Sequence, residues 1–300
     1  MLADDALLTL IDELPRPKRQ PNLIFAVSRL LGAPEGEYEP WRAWMLDHWP
    51  AVRAEAAQRS TQTNEPRRTT ALVAALAGIT GPIALLELGA SAGLCLYPDR
   101  YSYQFTDSDT KAVTRLDPTD GPSALLLECD TAGSPPLPES LPNVVWRAGI
   151  DLAPLHVGDA DHMHWLETLI WPEQHERRAR LREAIAIAQA DPPLLAAGDL
   201  ASADAVAELR ARAAQAPRDA RLVIFHGGTL VYLSTVDRAR ITQAVLEMDA
   251  LWVSIEPASV LPDLKNSLSY ARDDTSRFVL AVDGRAVGRT GPHGQSLEWL

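Results

Sequence analysis

The sequence predicts an α/β fold: a doubly wound, mostly parallel sheet with an antiparallel C-terminal hairpin, a helical N-terminal cap and an inserted β-hairpin. Three observations carry this. From Ile83 onward, short apolar runs alternate with helix-length segments, the rhythm of strands joined by crossover helices. Before Ile83 the apolar positions recur at helical spacing and no strand pattern interrupts them. Near the C-terminus, Asp283-Gly284 separates two strand-like runs, a hairpin turn signal. The predicted division is a cap over 1–80 and a sheet domain over 81–300, with the insertion at about 97–143.

In the cap, ADDALLTLIDEL is amphipathic. PNLIFAVSRLLG begins at Pro21 and stops at Gly32, a proline start and a glycine cap. WRAWMLDHWPAVRAEAAQR is a third helix, with a kink or break expected at Pro50. NEPRRTTALVAALAG places Asn64 as N-cap, with its arginines solvated. The predicted strands of the sheet domain are IALLELG, NVVWRAGID, PLLAAGDL, RLVIFHGG and LWVSIEP, followed by two strands in SRFVLAVDGRAVGRTGPHGQSLEWL. The helices between them include HWLETLIWPEQHERRARLREAIAIAQA, broken at Pro172, and STVDRARITQAVLEM, capped by Ser234 or Thr235. The run from Gly93 to Asp151 far exceeds the roughly 20 residues of a plain crossover. YSYQF and SALLLECD, followed by a proline-rich stretch, mark the insertion there.

Composition narrows the function. The chain has 300 residues, 46% hydrophobic, and a net charge of -12, which argues against a nucleic-acid partner because phosphate binding needs a basic face. Cys95 and Cys129 are the only cysteines and have no metal spacing, so a reducing cytoplasm and no bound metal are expected. The N-terminus lacks a signal-peptide pattern and no apolar run is long enough to span a membrane. GDADHMHW reads as a capped helix start rather than a metal site.

The loop ELGASAG, Glu87 to Gly93, carries two patterns. Gly89-Ala90-Ser91-Ala92-Gly93 fits G-x-S-x-G, the nucleophile elbow, and Ser91, Asp283 and His293 follow the hydrolase order. A nucleophile elbow sits deep in its sheet, however, whereas Ile83–Glu87 is the first predicted strand. The other pattern is an acid closing a strand before a small-residue turn, which lets a cofactor approach the backbone. Later strand ends extend it: Asp151 could take ribose hydroxyls, and Asp199-Leu200 an adenine edge. His226 closes the fourth strand as a candidate base, with Tyr232 close by to assist. Gln62, Asn64 and Glu65, just before the first strand, are candidate ligands for substrate or for the amino acid part of a cofactor.

ELGASAG resembles the E-x-G-x-G-x-G loop of class I S-adenosylmethionine-dependent methyltransferases. GDL resembles their adenine-edge motif, and the terminal hairpin their last strand pair, over about 83–300. The resemblance implies a Rossmann-like fold with S-adenosylmethionine held by Glu87, Gly89, Ala90, Ser91, Gly93, Asp151, Asp199 and Leu200, and methyl transfer to a small molecule. Ser91 stands where that loop has its middle glycine. RSTQTNEPRR, ELGASAGL, WRAGIDLAPL, WPEQHERRARL, GDL and LVIFHGGTLVYLS together resemble the bacterial DUF2332 family across nearly the whole chain. That resemblance implies a fold and a cofactor type, not a substrate. Two alternatives stand beside methyl transfer: a cofactor-binding regulatory protein of the same fold, and a serine hydrolase with Ser91 as nucleophile.

Overall fold

A computed structural model describes residues 4–260 and 276–300. Its helices are α1 (Asp5–Ile11), α2 (Pro21–Leu30), α3 (Tyr38–Gln58), α4 (Thr69–Ala75), α5 (Ala160–Thr168), α6 (His175–Ala190), α7 (Ala205–Ala213) and α8 (Thr235–Leu246). Its strands are β1 (Pro82–Leu88), β2 (Ser102–Asp107), β3 (Val113–Leu116), β4 (Leu126–Ala132), β5 (Asn143–Asp151), β6 (Leu194–Ala197), β7 (Arg221–Gly227), β8 (Leu251–Pro257), β9 (Phe278–Val282), β10 (Arg285–Thr290) and β11 (Ser296–Trp299). Ala3, the first residue of the first predicted helix, lies outside the described residues. The chain divides into two compact units, residues 1–63 with 159–179, and 64–158 with 180–300.

The first unit is helical. Asp4 caps α1 by accepting from Leu7 N–H, and its carboxylate also pairs with Arg42 of α3. The α2 helix starts at Pro21 and ends just before Gly32, whose φ of +91° suits only glycine well. Trp41 donates from Nε1 to Ser28 Oγ at 3.0 Å, and its ring lies 4.8 Å from Phe25, which ties α3 to α2. Pro50 does not break α3, which runs unbroken through it. Trp49 and Val52 beside it are buried, so packing outweighs the one lost backbone bond. The predicted long helix after residue 164 does break, into α5 and α6, around Pro172. Asp159 caps α5 by accepting from Asp161 and His162 N–H, and no metal-ligating cluster occurs among the described residues.

The second unit holds one sheet of eleven strands in the order β3-β2-β4-β11-β10-β9-β8-β7-β1-β5-β6. The five strands from β8 to β6 run parallel, as the apolar runs predict. Leu86, Leu88, Ile150 and Ile224 of this parallel half pack against Leu209 of α7 and Ile241 and Val245 of α8. Beyond β8 the sheet reverses: β8, β9 and β10 are antiparallel neighbours, and Asp283-Gly284 turns β9 into β10 with φ of +47° and +74°. The C-terminal stretch forms three strands rather than the two predicted, because the glycine-proline loop at 291–294 turns the chain again into β11. The two predicted insertion strands, YSYQF and SALLLECD, are β2 and β4 and pair parallel rather than as a hairpin; the hairpin of the insertion is β2 with β3, a strand the apolar pattern does not mark. Pairing of β4 with β11 makes this insertion the far end of the same sheet. No helix among the described residues is long and apolar enough to cross a membrane.

Candidate functional site

The centre of the parallel half is β1, between β7 and β5, so the loop after it lies at the carboxyl edge, where open α/β sheets bind ligands. That loop alternates its backbone sign: Gly89, Ser91 and Gly93 all have positive φ, at +73°, +52° and +72°. Serine at φ +52° is strained by about 1–2 kcal/mol. Gly89 N–H donates to Ile150 O at 2.7 Å, and Ser91 N–H to Asp151 Oδ2 at 2.7 Å. Asp151 Oδ1 accepts from Ala153 N–H, and its carbonyl from Gly198 N–H. One run of hydrogen bonds therefore joins the carboxyl ends of β1, β5 and β6.

The glycines of this edge answer to protein packing. A Cβ on Gly89 would overlap the Thr229 side chain, and one on Gly149 would overlap Ala90. Thr229 Oγ1 donates to Leu88 O at 3.1 Å from this position. No α-helix follows the loop, only a 3₁₀ turn at Leu94–Leu96. The aligned N–H groups of a helix N-terminus, the usual phosphate cradle, are thus missing here.

Two polar groups of the loop are buried without partners. Glu87 is 5% exposed and Ser91 4%, and neither Glu87 Oε2 nor Ser91 Oγ makes a hydrogen bond. Unpaired buried polar atoms are rare and need a reason. Burial pushes the Glu87 carboxyl well above the usual carboxylate range, Arg68 partly opposing and Asp151 adding to the shift. Folded Glu87 therefore keeps its proton where the unfolded chain has released it. Its contribution to stability is lost as pH rises above the ordinary glutamate value of 4.5. Glu87→Gln removes that penalty, so the variant gains in melting temperature over the parent as pH rises above 4.5. An equal pH dependence in both proteins contradicts this.

The structure disperses the other candidates. Asn64 does not cap α4; its side chain donates to Ala90 O at 3.4 Å and accepts from Leu94 N–H at 3.0 Å, bracing the loop from outside. Glu65 caps the 3₁₀ turn Pro66–Arg68 that precedes α4, accepting from Arg67 N–H, and lies 3.5 Å from Arg180. Gln62 belongs to the first unit, Asn64 and Glu65 to the second. Asp199 is exposed at the end of β6 and accepts from Ala201 N–H, while the Leu200 side chain is part of the core under α7 and α8.

His226 projects from the sheet face opposite to Glu87, since Glu87 pairs with Phe225 and side chains alternate. Trp252 Nε1 donates to His226 Nε2 at 3.0 Å, which leaves the proton on Nδ1, 2.8 Å from Glu256 Oε1. Glu256 Oε1 also accepts from Thr229 and Leu230 N–H, both at 2.9 Å. Tyr232, on the 3₁₀ turn after β7, is 76% exposed. Ser91, Asp283 and His293 do not assemble. Asp283 accepts from Trp252 N–H at the amino end of β8, the opposite end of the sheet from Ser91.

Sequence reasoning passed over Thr229 and the burial of Arg68. Arg68 is not solvated: it donates from Nε to Pro292 O and from Nη1 to Gly227 O. The family model for DUF2332, described as an uncharacterised protein conserved in bacteria, matches residues 3–299. The chain belongs to the DUF2332 family. No curated protein and no solved structure matches it. In this DUF2332 chain Glu87 Oε2 and Ser91 Oγ, at the carboxyl edge of β1, are buried and make no hydrogen bond.

Proposed function

We propose that this DUF2332 chain binds S-adenosylmethionine at the carboxyl edge of β1, β5 and β6 and transfers its methyl group to a small molecule. One observation carries the reading: Glu87 Oε2 and Ser91 Oγ, both buried, have no partner in the loop that closes the central strand. The resemblance of that loop to the methyltransferase pattern supplies the cofactor's identity. The fit is partial. Ser91 Oγ can bond a ribose or carboxylate oxygen, and exposed Asp199 can accept from an adenine amino group. Asp151 serves by holding the loop, its two oxygens accepting from Ser91 and Ala153 N–H. The bound cofactor supplies the reactive methyl carbon; the protein supplies orientation and exclusion of water. In this reading Tyr232, exposed on the turn after β7, assists the acceptor. A second reading, binding without transfer, is favoured by His226, whose ring nitrogens are both engaged inside the protein.

Calorimetric titration with S-adenosylmethionine and S-adenosylhomocysteine, with NAD as control, tests the reading. Saturable binding of both sulfur compounds is expected. Ser91→Ala removes no internal hydrogen bond, so the variant keeps its melting temperature while its affinity falls by about tenfold. Absence of binding to folded protein, or unchanged affinity in Ser91→Ala, contradicts it.

A further inference from the structure

The sheet ends in two free edges that are built differently. β3 and β6 are its terminal strands, each paired on one side alone. A free edge offers backbone N–H and C=O groups to any extended chain, and charged side chains ordinarily block it. β3, VTRL, carries Arg115, with Lys111 in the loop before it. β6, LLAA, has no charge, no proline and no bulge. Pro192 and Pro193 stop short of it. Leu194 is 52% exposed, and Ala197 is exposed as well.

The pairing of β6 with β5 fixes which of its groups are free. Gly198 N–H donates to Asp151 O at 2.9 Å, toward β5. Backbone groups alternate in direction along a strand, so Ala197 N–H points away from β5. The Leu195 and Ala197 carbonyls face outward with it. Leu195 N–H, on the same outer side, turns back to Pro193 O at 3.1 Å, a γ-turn closure in place of a strand partner.

Acids bracket this strand. Asp191, before its amino end, has a side chain 65% exposed. Asp199, beyond its carboxyl end, is exposed, as is Glu208 beside Gly198. Arg147, 3.4 Å from Asp191, is already held by both oxygens of Asp99. Neither Asp199 nor Glu208 has an ion pair among the described residues. The bracket selects the occupant of the edge. In an antiparallel pair of two copies, Asp191 of one meets Asp199 of the other; in a parallel pair each acid meets its own kind. Like charges opposite each other destabilise strand pairing, and every copy carries a net charge of -12. An extended segment with a cation near each end turns both repulsions into attractions. Asp191 and Asp199 span about 26 Å at strand spacing, so the complementary segment is about nine residues long.

We propose that the β6 edge docks an extended, basic-ended segment of another protein as one more strand of the sheet. Its backbone pairs with β6, and its terminal Lys or Arg side chains meet Asp191 and Asp199. The inference does not depend on the carboxyl-edge ligand proposed above.

The test is calorimetric titration of the full chain with the end-blocked peptide Lys-Thr-Val-Thr-Val-Thr-Val-Thr-Lys, with the same peptide N-methylated along its length, and with a version ending in Glu at both ends. The Lys-ended peptide binds saturably, and the other two bind at least about tenfold more weakly. Ala197→Pro removes an outward N–H and no bond to β5, so it keeps the melting temperature close to that of the parent and lowers peptide affinity about tenfold. Asp191→Lys weakens the Lys-ended peptide and strengthens the Glu-ended one, a readout that stands even where the proline variant does not fold. The proposal is overturned if the Lys-ended peptide does not bind the parent, if methylation leaves its affinity unchanged, or if the Asp191→Lys swap does not exchange the preference. Sedimentation equilibrium tests the other occupant: a dimer of the parent that Ala197→Pro dissolves would give the edge to a second copy and overturn the proposal too.

Discussion

Arg147→Ala lowers the stability of the second unit by about 3–5 kcal/mol, the cost of breaking a buried ion pair. Arg147 lies on β5 with its side chain 6% exposed. Its Nη1 and Nη2 donate to the two oxygens of Asp99, each at 2.7 Å, a bidentate fork. Nη1 also donates to Leu96 O at 2.8 Å, and the guanidinium lies 4.8 Å from the Tyr97 ring. Truncation leaves the Leu96 carbonyl without that donor and the Asp99 carboxylate with only the half-exposed Arg100, 3.4 Å from Oδ2, among the described cations. Asp191, also 3.4 Å from Arg147, is too exposed to matter as much. The measurement is urea unfolding of Arg147→Ala, Asp99→Ala and the double variant. Each single variant loses most of the effect, and the double variant loses less than their sum because the pair is coupled. Additive losses would mean that the two residues stabilise the chain separately.

Glu256→Ala costs about 3 kcal/mol or more, because one atom, Oε1, serves three donors: His226 Nδ1, Thr229 N–H and Leu230 N–H. All three lie in the interior or at its edge, so water cannot fully replace the acceptor. The effect reaches the β1 loop. Thr229 fills the space over Gly89 and bonds Leu88 O, so releasing its N–H loosens the prop of the loop. Glu256→Gln retains an acceptor for the two backbone groups and costs about 1 kcal/mol. Chemical denaturation gives the stability. Amide exchange at Gly89 and Ala90, whose N–H groups donate to Ile150 O, gives the local effect: faster in Glu256→Ala, near the parent rate in Glu256→Gln. Unchanged loop exchange in the alanine variant would separate Glu256 from the loop.

The parallel half of the fold was legible because β1, β7 and β8 are buried strands, written as unbroken apolar runs. Capping was legible where it is local: Ser234 caps α8 as its position predicts. What escaped is set by pairings across long sequence distance. Nothing in SALLLECD announces that β4 meets β11 more than 160 residues later, so the far half of the sheet read as an insertion alone. An arginine pair before a helix looks solvated; Arg68 is buried because Gly227 and Pro292 bring carbonyls to it from distant segments. His226 looked like a free base at a strand end, and only the β7–β8 register reveals Trp252 and Glu256 beside it. The Gly89 loop was found by its residues, but the reason for Gly89, the side chain of Thr229, lies on another strand's loop.

The most direct measurement is the change in backbone amide NMR shifts when S-adenosylhomocysteine is added to the labelled full chain. The account predicts changes concentrated at 87–93, 151–153 and 198–201, the linked ends of β1, β5 and β6, and weak or no change at Asp283 on the opposite end of the sheet. Saturating addition with no shifts at those strand ends, or with shifts centred elsewhere, would contradict it.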